Sequence, residues 1–294
     1  MGQVSSFITR TTTTGKPREY ALFQRYPLTG TAMLTTETVP TPYHIYDGYG
    51  LFIGGTAELA AVQRLLQPET VMPLQTVDGR AVMGIWLCDF TAASLGPHHE
   101  LQVSLFVTRR PAPPLAAHPL ALLGAMLTRA DVQMLCHGLW NNTPTVVAYN
   151  RELLSLNARL STSTMTCDAQ QLTFAVADTA SGASILRGTV ATPQKSSWQA
   201  TFGLLRQLGF GPALRLNRQP WVTMAVVNPL GVHLAQNAAA QAMNKNAINN
   251  VRYFKPATDS LTFGDTPYRE LAFQPQFVQY MSGFKFVYVQ PSVL

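Results

Sequence analysis

Charge is what this 294-residue chain has least of: 12% of its residues are Asp, Glu, Lys or Arg, about half the ~25% of an average globular protein. Disordered chains are polar and strongly charged, so that class is excluded. Cysteine is also scarce. Cys88, Cys136 and Cys167 are odd in number and far apart, with no C-x-x-C pair, so neither a disulfide framework nor a zinc site is expected. No run of ~18 apolar residues occurs, which excludes a membrane-spanning helix. The first residues, Met1 to Thr14, lack the apolar segment of a secretory signal, and a cytoplasmic location is expected. They do match the M-G-x-x-x-[ST] pattern through Gly2 and Ser6, a short myristoylation signal that matters only in a eukaryotic host.

The common catalytic and phosphate-binding signatures are missing too. There is no Gly-x-Gly-x-x-Gly, no GxxxxGK[ST], no Gly-x-Ser-x-Gly and no His-Glu-x-x-His. No cofactor and no metal are expected on these grounds. The net charge of +6 and pI of 9.4 invite a nucleic-acid reading. Yet Arg109-Arg110 is the sole adjacent basic pair, and no nucleic-acid-binding motif accompanies it. A weak positive field drawing in a carboxylate-bearing small molecule fits better.

What remains is apolar and strand-like. With 47% hydrophobic residues, the chain can bury a core that needs no staple; so few charges also suit a homo-oligomer. Residues 1–45 are rich in Thr and Pro and read as an extended arm, ahead of a single domain over 46–294. Tyr49–Ile53 reads as a strand ending at Gly54-Gly55, with Thr56 capping a helix whose apolar stripe is Leu59, Val62, Leu65 and Leu66. Ala81–Phe90 reads as a strand buried on both faces, and Leu101–Thr108 as a further strand. From Pro119 to Leu139 the periodicity is helical, with a break near Thr128. Val146–Leu160 reads as strand, turn and a short element. Leu172–Ala177 and Ser184–Ala191 flank a Ser181-Gly182 turn as a hairpin.

Beyond these, Ser196–Leu208 is predicted as an amphipathic helix with Trp198, Phe202, Leu205 and Leu208 inward. Trp221–Val227, Leu271–Phe273 and Phe284–Val289 read as strands. Leu234–Asn250 is left as helix or loop. Strands outnumber helices and lack a βαβ rhythm. The fold class that follows is α+β, mostly β: a largely antiparallel, closed or cone-like barrel with a few flanking helices.

Two segments hold candidate chemistry. In Leu95-Gly96-Pro97-His98-His99-Glu100-Leu101, a turn feeds a strand whose first positions carry imidazoles and a carboxylate. Adjacent strand residues face opposite ways, so His98, and not His99, shares a face with Glu100. A Glu entering an apolar barrel has its pKa raised by desolvation and becomes a general acid or base near neutrality; the alternative is an ion-paired edge residue beside surface histidines. In Tyr149-Asn150-Arg151-Glu152-Leu153, the Arg-Glu pair follows an apolar run. Arg suits a substrate carboxylate, and a structural salt bridge is the alternative. The aromatics Trp86, Phe90, Phe106, Trp140 and Tyr149 are core residues that also suit the lining of an apolar pocket.

At these segments the sequence resembles the acetoacetate decarboxylase-like family. Leu66-Gln67-Pro68-Glu69 resembles its helix-ending Pro-Glu, Leu95 to Glu100 its Leu-Gly-x-x-x-Glu turn, and Asn141-Asn142 to Leu153 its apolar run with Gly-Arg-Glu-Leu. The marks fall in order over residues 49–160. The resemblance implies a cone-like barrel with an apolar interior, often oligomeric, acting on small keto acids. In that family a lysine forms a Schiff base. The two lysine positions fall here on Ala158 and Arg159, and the five lysines of the chain, Lys16, Lys195, Lys245, Lys255 and Lys285, lie elsewhere.

Three readings follow from that loss. One is an enzyme of secondary metabolism working without a covalent intermediate on a keto-acid-type, polyketide- or indole-like compound. Glu100, Arg151 and Glu152 would be its catalytic groups, and His98, Tyr149, Arg159, Trp86 and Phe106 would line the substrate. The second is a Schiff-base enzyme using a displaced Lys255 or Lys285. The third is a non-catalytic binder of an apolar small molecule.

Overall fold

The computed structural model describes residues 21–168, 170–191, 198–209, 211, 221–227, 238–243, 250–283 and 285–289. Its centre is a closed ring of strands. In chain order these are β3 (Tyr43–Ala57), β5 (Ala81–Ala93), β6 (His98–Thr108), β7 (Gln133–Asn141), β11 (Trp221–Val227), β12 (Ala238–Met243) and β16 (Lys285–Val289). Around the ring they run β7-β11-β12-β16-β3-β5-β6, and β6 pairs β7 to close it. All pairings are antiparallel except β7 with β11.

Two long strands fork. The end of β7 at Leu139–Asn141 pairs β8 (Ala158–Cys167) in parallel, and β8 leads to β9 (Gln171–Asp178), β10 (Ser184–Ala191) and β14 (Ser260–Phe263), an outer layer. Likewise β3 pairs β16 near its start and β15 (Gln274–Ser282) over the rest, and β13 (Val251–Tyr253) adds to β15. The short β4 (Met72–Pro73) borders β6.

Period-two alternation divides the core. On β5, Val82, Cys88 and Phe90, with Trp86 packed against them, join the ring-interior cluster together with Phe52, Phe106 and Met134. Ala81, Met83, Ile85 and Leu87 face the other way, onto Phe174, Val176 and Leu186 of the outer layer. Register shifts between Ile45 and Tyr49 change the parity of β3. That is why Tyr43 and Ile45, odd-numbered, share the interior with Phe52, even-numbered.

Three helices contribute to the interior cluster: α3 (Ala121–Thr128), α4 (Pro144–Glu152) and α5 (Trp198–Leu208), whereas α2 (Leu59–Leu65) packs in the outer cluster. The stretch expected as an arm contributes α1 (Ala21–Arg25), a hairpin of β1 (Gly30–Met33) and β2 (Thr38–Thr41), and the start of β3. Its residues Leu34 and Val39 are buried in the interior cluster, and residues 1–20 lie outside the described ones.

Several expectations are corrected. The strand does not stop at Gly54-Gly55 but runs to Ala57; a Cβ at Gly55 would lie 2.1 Å from the Gln274 carbonyl oxygen, so the glycines admit β15 alongside. Thr56 is therefore in the strand, and Glu58 precedes α2 without a side-chain cap bond. Residues 133–139 are β7, because an apolar run buried on both faces has no period to betray it. Val146-Val147 lies in α4, which starts with Pro144 at its first turn, a favoured helix-start position. Trp198 and Phe202 are 78% and 60% exposed and stack on each other at 5.7 Å; Leu205 and Leu208 do face the core, with Ala200 beside them. Leu271–Phe273 is not a strand: Leu271 ends a 3-10 helix over Pro267–Leu271, and the next strand begins at Gln274. Of the undecided 234–250 stretch, 238–243 is a strand and 234–237 and 244–249 lie outside the described residues, as do 196–197 and Phe284.

Interior packing sets a sharp steric test. A Cβ on Gly54 would sit 2.3 Å from the Phe277 ring, and that ring is fully buried. Gly54→Ala is expected to lower stability by about 1–3 kcal/mol, read as a shifted urea midpoint at unchanged slope.

Candidate active site inside the barrel

The strand β6 presents His98, Glu100, Gln102 and Ser104 to the ring interior, and all four are buried. Cross-strand pairing places Cys88 of β5 and Asn141 of β7 beside Glu100. One row of the barrel wall thus reads thiol, carboxyl, amide. Asn141 Nδ2 donates to Glu100 Oε2 at 3.1 Å, and Asn150 Nδ2 donates to Asn141 Oδ1 at 3.0 Å. The second amide, from α4, fixes the first with its N–H toward the carboxyl. Among the described residues Glu100 has no ion-pair partner.

Desolvation therefore dominates. Burial pushes the Glu100 carboxyl up from 4.5 to about 7, against the smaller lowering effect of the Asn141 hydrogen bond. Its charge, when present, reaches Tyr43, Tyr288, Cys88 and Cys136, whose ionisation burial already raises well above normal. Near neutrality Glu100 is thus the titrating group of a neutral surround.

His98 stands close by on the same face. Burial lowers it to about 4, so the ring is neutral at pH 7. Its Nδ1 lies 2.9 Å from the Gly96 carbonyl, which only accepts, so Nδ1 carries the hydrogen and Nε2 accepts the Tyr43 hydroxyl at 2.5 Å. Rings pack around this pair: Tyr43 stacks with Tyr288 at 5.7 Å and meets Tyr149 at 5.3 Å, and Phe90 meets His98 at 5.0 Å. Tyr149 is pushed up to about 12 by burial. Further along the interior, Trp86 stacks on Phe52 at 4.3 Å and Phe106 meets Phe52 edge-on at 6.4 Å. His99 points outward, where its Nδ1 lies 2.8 Å from Ser163 Oγ.

Of the residues singled out from the sequence, Glu100, His98, Tyr149, Trp86 and Phe106 share the interior cluster or its face. Arg151, Glu152 and Arg159 do not. Arg151 is exposed at the end of α4. Glu152 accepts the backbone N–H of Thr35 at 3.1 Å and its hydroxyl as well, so it clasps the β1–β2 hairpin to α4; Glu37 of the same turn accepts the Thr145 hydroxyl. On β8, Ala158 joins the interior cluster while Arg159 is exposed on the opposite face. The chain positions predicted for a cationic pocket thus have one methyl group inside and a guanidinium outside.

The sequence reading missed Asn141, Asn150, Tyr43, Tyr288, Cys88 and Cys136 as site residues. The two asparagines lay within the quoted motif and were legible there. Tyr43 was hidden in the presumed arm, and Tyr288 comes from the far end of the chain. Among the described residues no group of three or more His, Cys, Asp or Glu could hold a metal ion, and no helix is long and apolar enough to cross a membrane.

Two outcomes are expected. The folded protein holds the Glu100 proton more tightly than the unfolded chain. Stability from this group is full below pH 4.5 and is lost as pH rises through about 7. Glu100→Gln should then exceed wild type in stability at about pH 8 by on the order of 2–3 kcal/mol, with little gap at about pH 5, in denaturant melts. Separately, Glu152→Ala should speed hydrogen exchange at the Thr35 amide while the β6 amides stay protected.

No protein-family model matches the sequence, and no curated protein does so. Solved structures do match. The acetoacetate decarboxylase of Legionella pneumophila aligns with a TM-score of 0.53 at 11% identity, covering 86% of this chain and 87% of that one. A second acetoacetate decarboxylase structure aligns with a TM-score of 0.50 at 12% identity, covering 86% and 89%. The chain thus has the fold of the acetoacetate decarboxylase-like superfamily.

Proposed function

We propose that the barrel interior is the active site of an enzyme that moves a proton on a small ketone or keto acid, with Glu100 as the acid/base and no covalent amine intermediate. The observation that carries this is a buried carboxyl with no cationic partner among the described residues, held near a pKa of 7 by desolvation and aimed by an Asn141–Asn150 relay. A carboxyl poised at the working pH gives and takes protons with little bias.

The amine route finds no support in the described residues. Ala158, where the family resemblance places a lysine, is a methyl group in the interior cluster. Lys285 alternates with Phe286 and Tyr288, which face inward, and its Nζ lies 3.9 Å from Asp47. Lys255 is exposed. Lys16, Lys195 and Lys245 lie outside the described residues. The aromatic walls, Phe52, Trp86, Phe90 and Phe106, suit a substrate with an apolar body, of the polyketide- or indole-like kind found in secondary metabolism. The Tyr288 hydroxyl and the second N–H of the Asn141 amide are the groups available to a developing enolate, since the Tyr43 proton is given to His98. The reaction types that fit are decarboxylation of an activated β-keto acid, dehydration, isomerisation and cyclisation; two of the structural neighbours are acetoacetate decarboxylases.

Glu100→Gln should abolish turnover of a keto-acid substrate while leaving its binding within about threefold, since the amide keeps shape and loses only the proton. Turnover that survives in this variant would refute the role. Borohydride reduction in the presence of pyruvate, acetopyruvate or an aromatic β-keto acid is expected to leave the intact mass unchanged. A reduced adduct would restore the amine route, and peptide mapping would name the lysine.

A further inference from the structure

We propose that the outer face of the barrel carries a second small-molecule site, a two-lobed groove that takes a carboxylate or phosphate group between Arg151 and Arg159. One lobe has a volume of 530 Å³ and is lined by Arg151, Asn157, Arg159 and the Asp178–Ala180 turn. The other has 360 Å³ and includes His137, Trp140, Arg159, Thr266 and Tyr268 in its wall. Asn157, Arg159 and Asp178 line both, so the lobes adjoin. Each is of the size that small ligands fill.

The guanidiniums at this groove are held by no direct ion pair among the described residues, although the Ser181 hydrogen bonds and, through space, Arg159 hold the Asp178 carboxyl low. Among the described residues neither Arg151 nor Arg159 forms an ion pair. Asp178 lines the same groove, and its carboxylate accepts from Ala180 N, Ser181 N and Ser181 Oγ in its own turn. An unpaired guanidinium with its planar fork is a ready receptor for an oxyanion. Asp265 lines only the Trp140 lobe, which places the oxyanion at the arginines and the uncharged remainder of the ligand toward the ring.

The wall of that lobe holds buried polar groups left without partners among the described residues. Trp140 is 4% exposed and is paired in register with Arg159, and its indole Nε1–H has no hydrogen-bond partner among the described residues. The Thr266 hydroxyl is likewise buried and unpartnered. Native proteins leave few such groups, and each calls for an explanation; a ligand acceptor is one. Beside them Tyr268 Oη lies 2.9 Å from His137 Nδ1. Gly138 makes room for this pair, since a Cβ there would fall 2.3 Å from Tyr268 Oη and 2.7 Å from the Trp140 ring. A glycine at the centre of the strand, a free indole N–H and two unpaired arginines thus converge outside the barrel, on the face opposite Glu100.

The test uses the full-length protein labelled with nitrogen-15. Its four tryptophans, Trp86, Trp140, Trp198 and Trp221, give separate indole N–H signals. Succinate and inorganic phosphate are titrated in separate arms at constant ionic strength. The expected result is a saturable shift of the Trp140 signal in at least one arm, with the Trp86 signal in the barrel interior unmoved, and about tenfold weaker binding in Arg159→Gln. The arm that saturates names the oxyanion. Because Arg159 is exposed, the variant should keep the wild-type Trp86 signal, which reports an intact barrel. No saturable shift in either arm, equal affinity in Arg159→Gln, or joint movement of Trp86 and Trp140 would each overturn the proposal.

Discussion

A strand in a closed ring has one face that water does not reach, and β6 puts a carboxyl on that face. Everything near Glu100 follows from having to bury it. A bare carboxylate in an apolar medium is prohibitively costly, so the group either pairs with a cation or stays largely protonated. The ring offers no cation among the described residues. It offers one amide donor, Asn141, and surrounds the carboxyl with tyrosines and thiols that are themselves neutral. The same burial drives His98 neutral and so fixes its tautomer. Among the described residues the interior is thus a polar network with no fixed charge, in which Glu100 holds the one labile proton.

The helix α4 ties this network to the rest of the molecule. Its inner side carries Tyr149 and Asn150 into the barrel, and its outer end carries Glu152 to the β1–β2 hairpin. The hairpin in turn supplies Leu34 and Val39 to the interior cluster. The Arg-Glu pair that reads as catalytic in the sequence therefore divides its work: Glu152 holds the hairpin, and Arg151 faces the outer groove. Helix geometry explains the division, because successive residues point about 100° apart and Asn150, Arg151 and Glu152 cannot all face one site.

Strand periodicity made part of this legible. Period two placed His98 with Glu100 and turned His99 away, and the apolar β5 and β6 segments marked the wall. The resemblance over residues 49–160 led to the fold that the solved structures share. What the sequence hid has physical causes. The β7 segment is buried on both faces, so its hydrophobic run had no strand signature. The pair Val146-Val147 is too short to show a period. Tyr43 reaches the interior only because two register shifts turn β3 over between Ile45 and Tyr49. Tyr288 enters through β16, whose partner β3 lies more than 200 residues earlier in the chain. Arg159 falls on one of the two lysine positions that the resemblance places in the pocket, and alternation along β8 sends it outside.

The protonation state of Glu100 is the quantity on which the site's chemistry rests. Infrared difference spectra of wild type against Glu100→Gln, recorded across pH, isolate the carbonyl stretch of this one protonated carboxyl. A band that persists at mildly acidic pH and titrates away near pH 7 is the expected result. A band that is gone by about pH 5, as for an ordinary solvated glutamate, would contradict the desolvated carboxyl and with it the proton-transfer role.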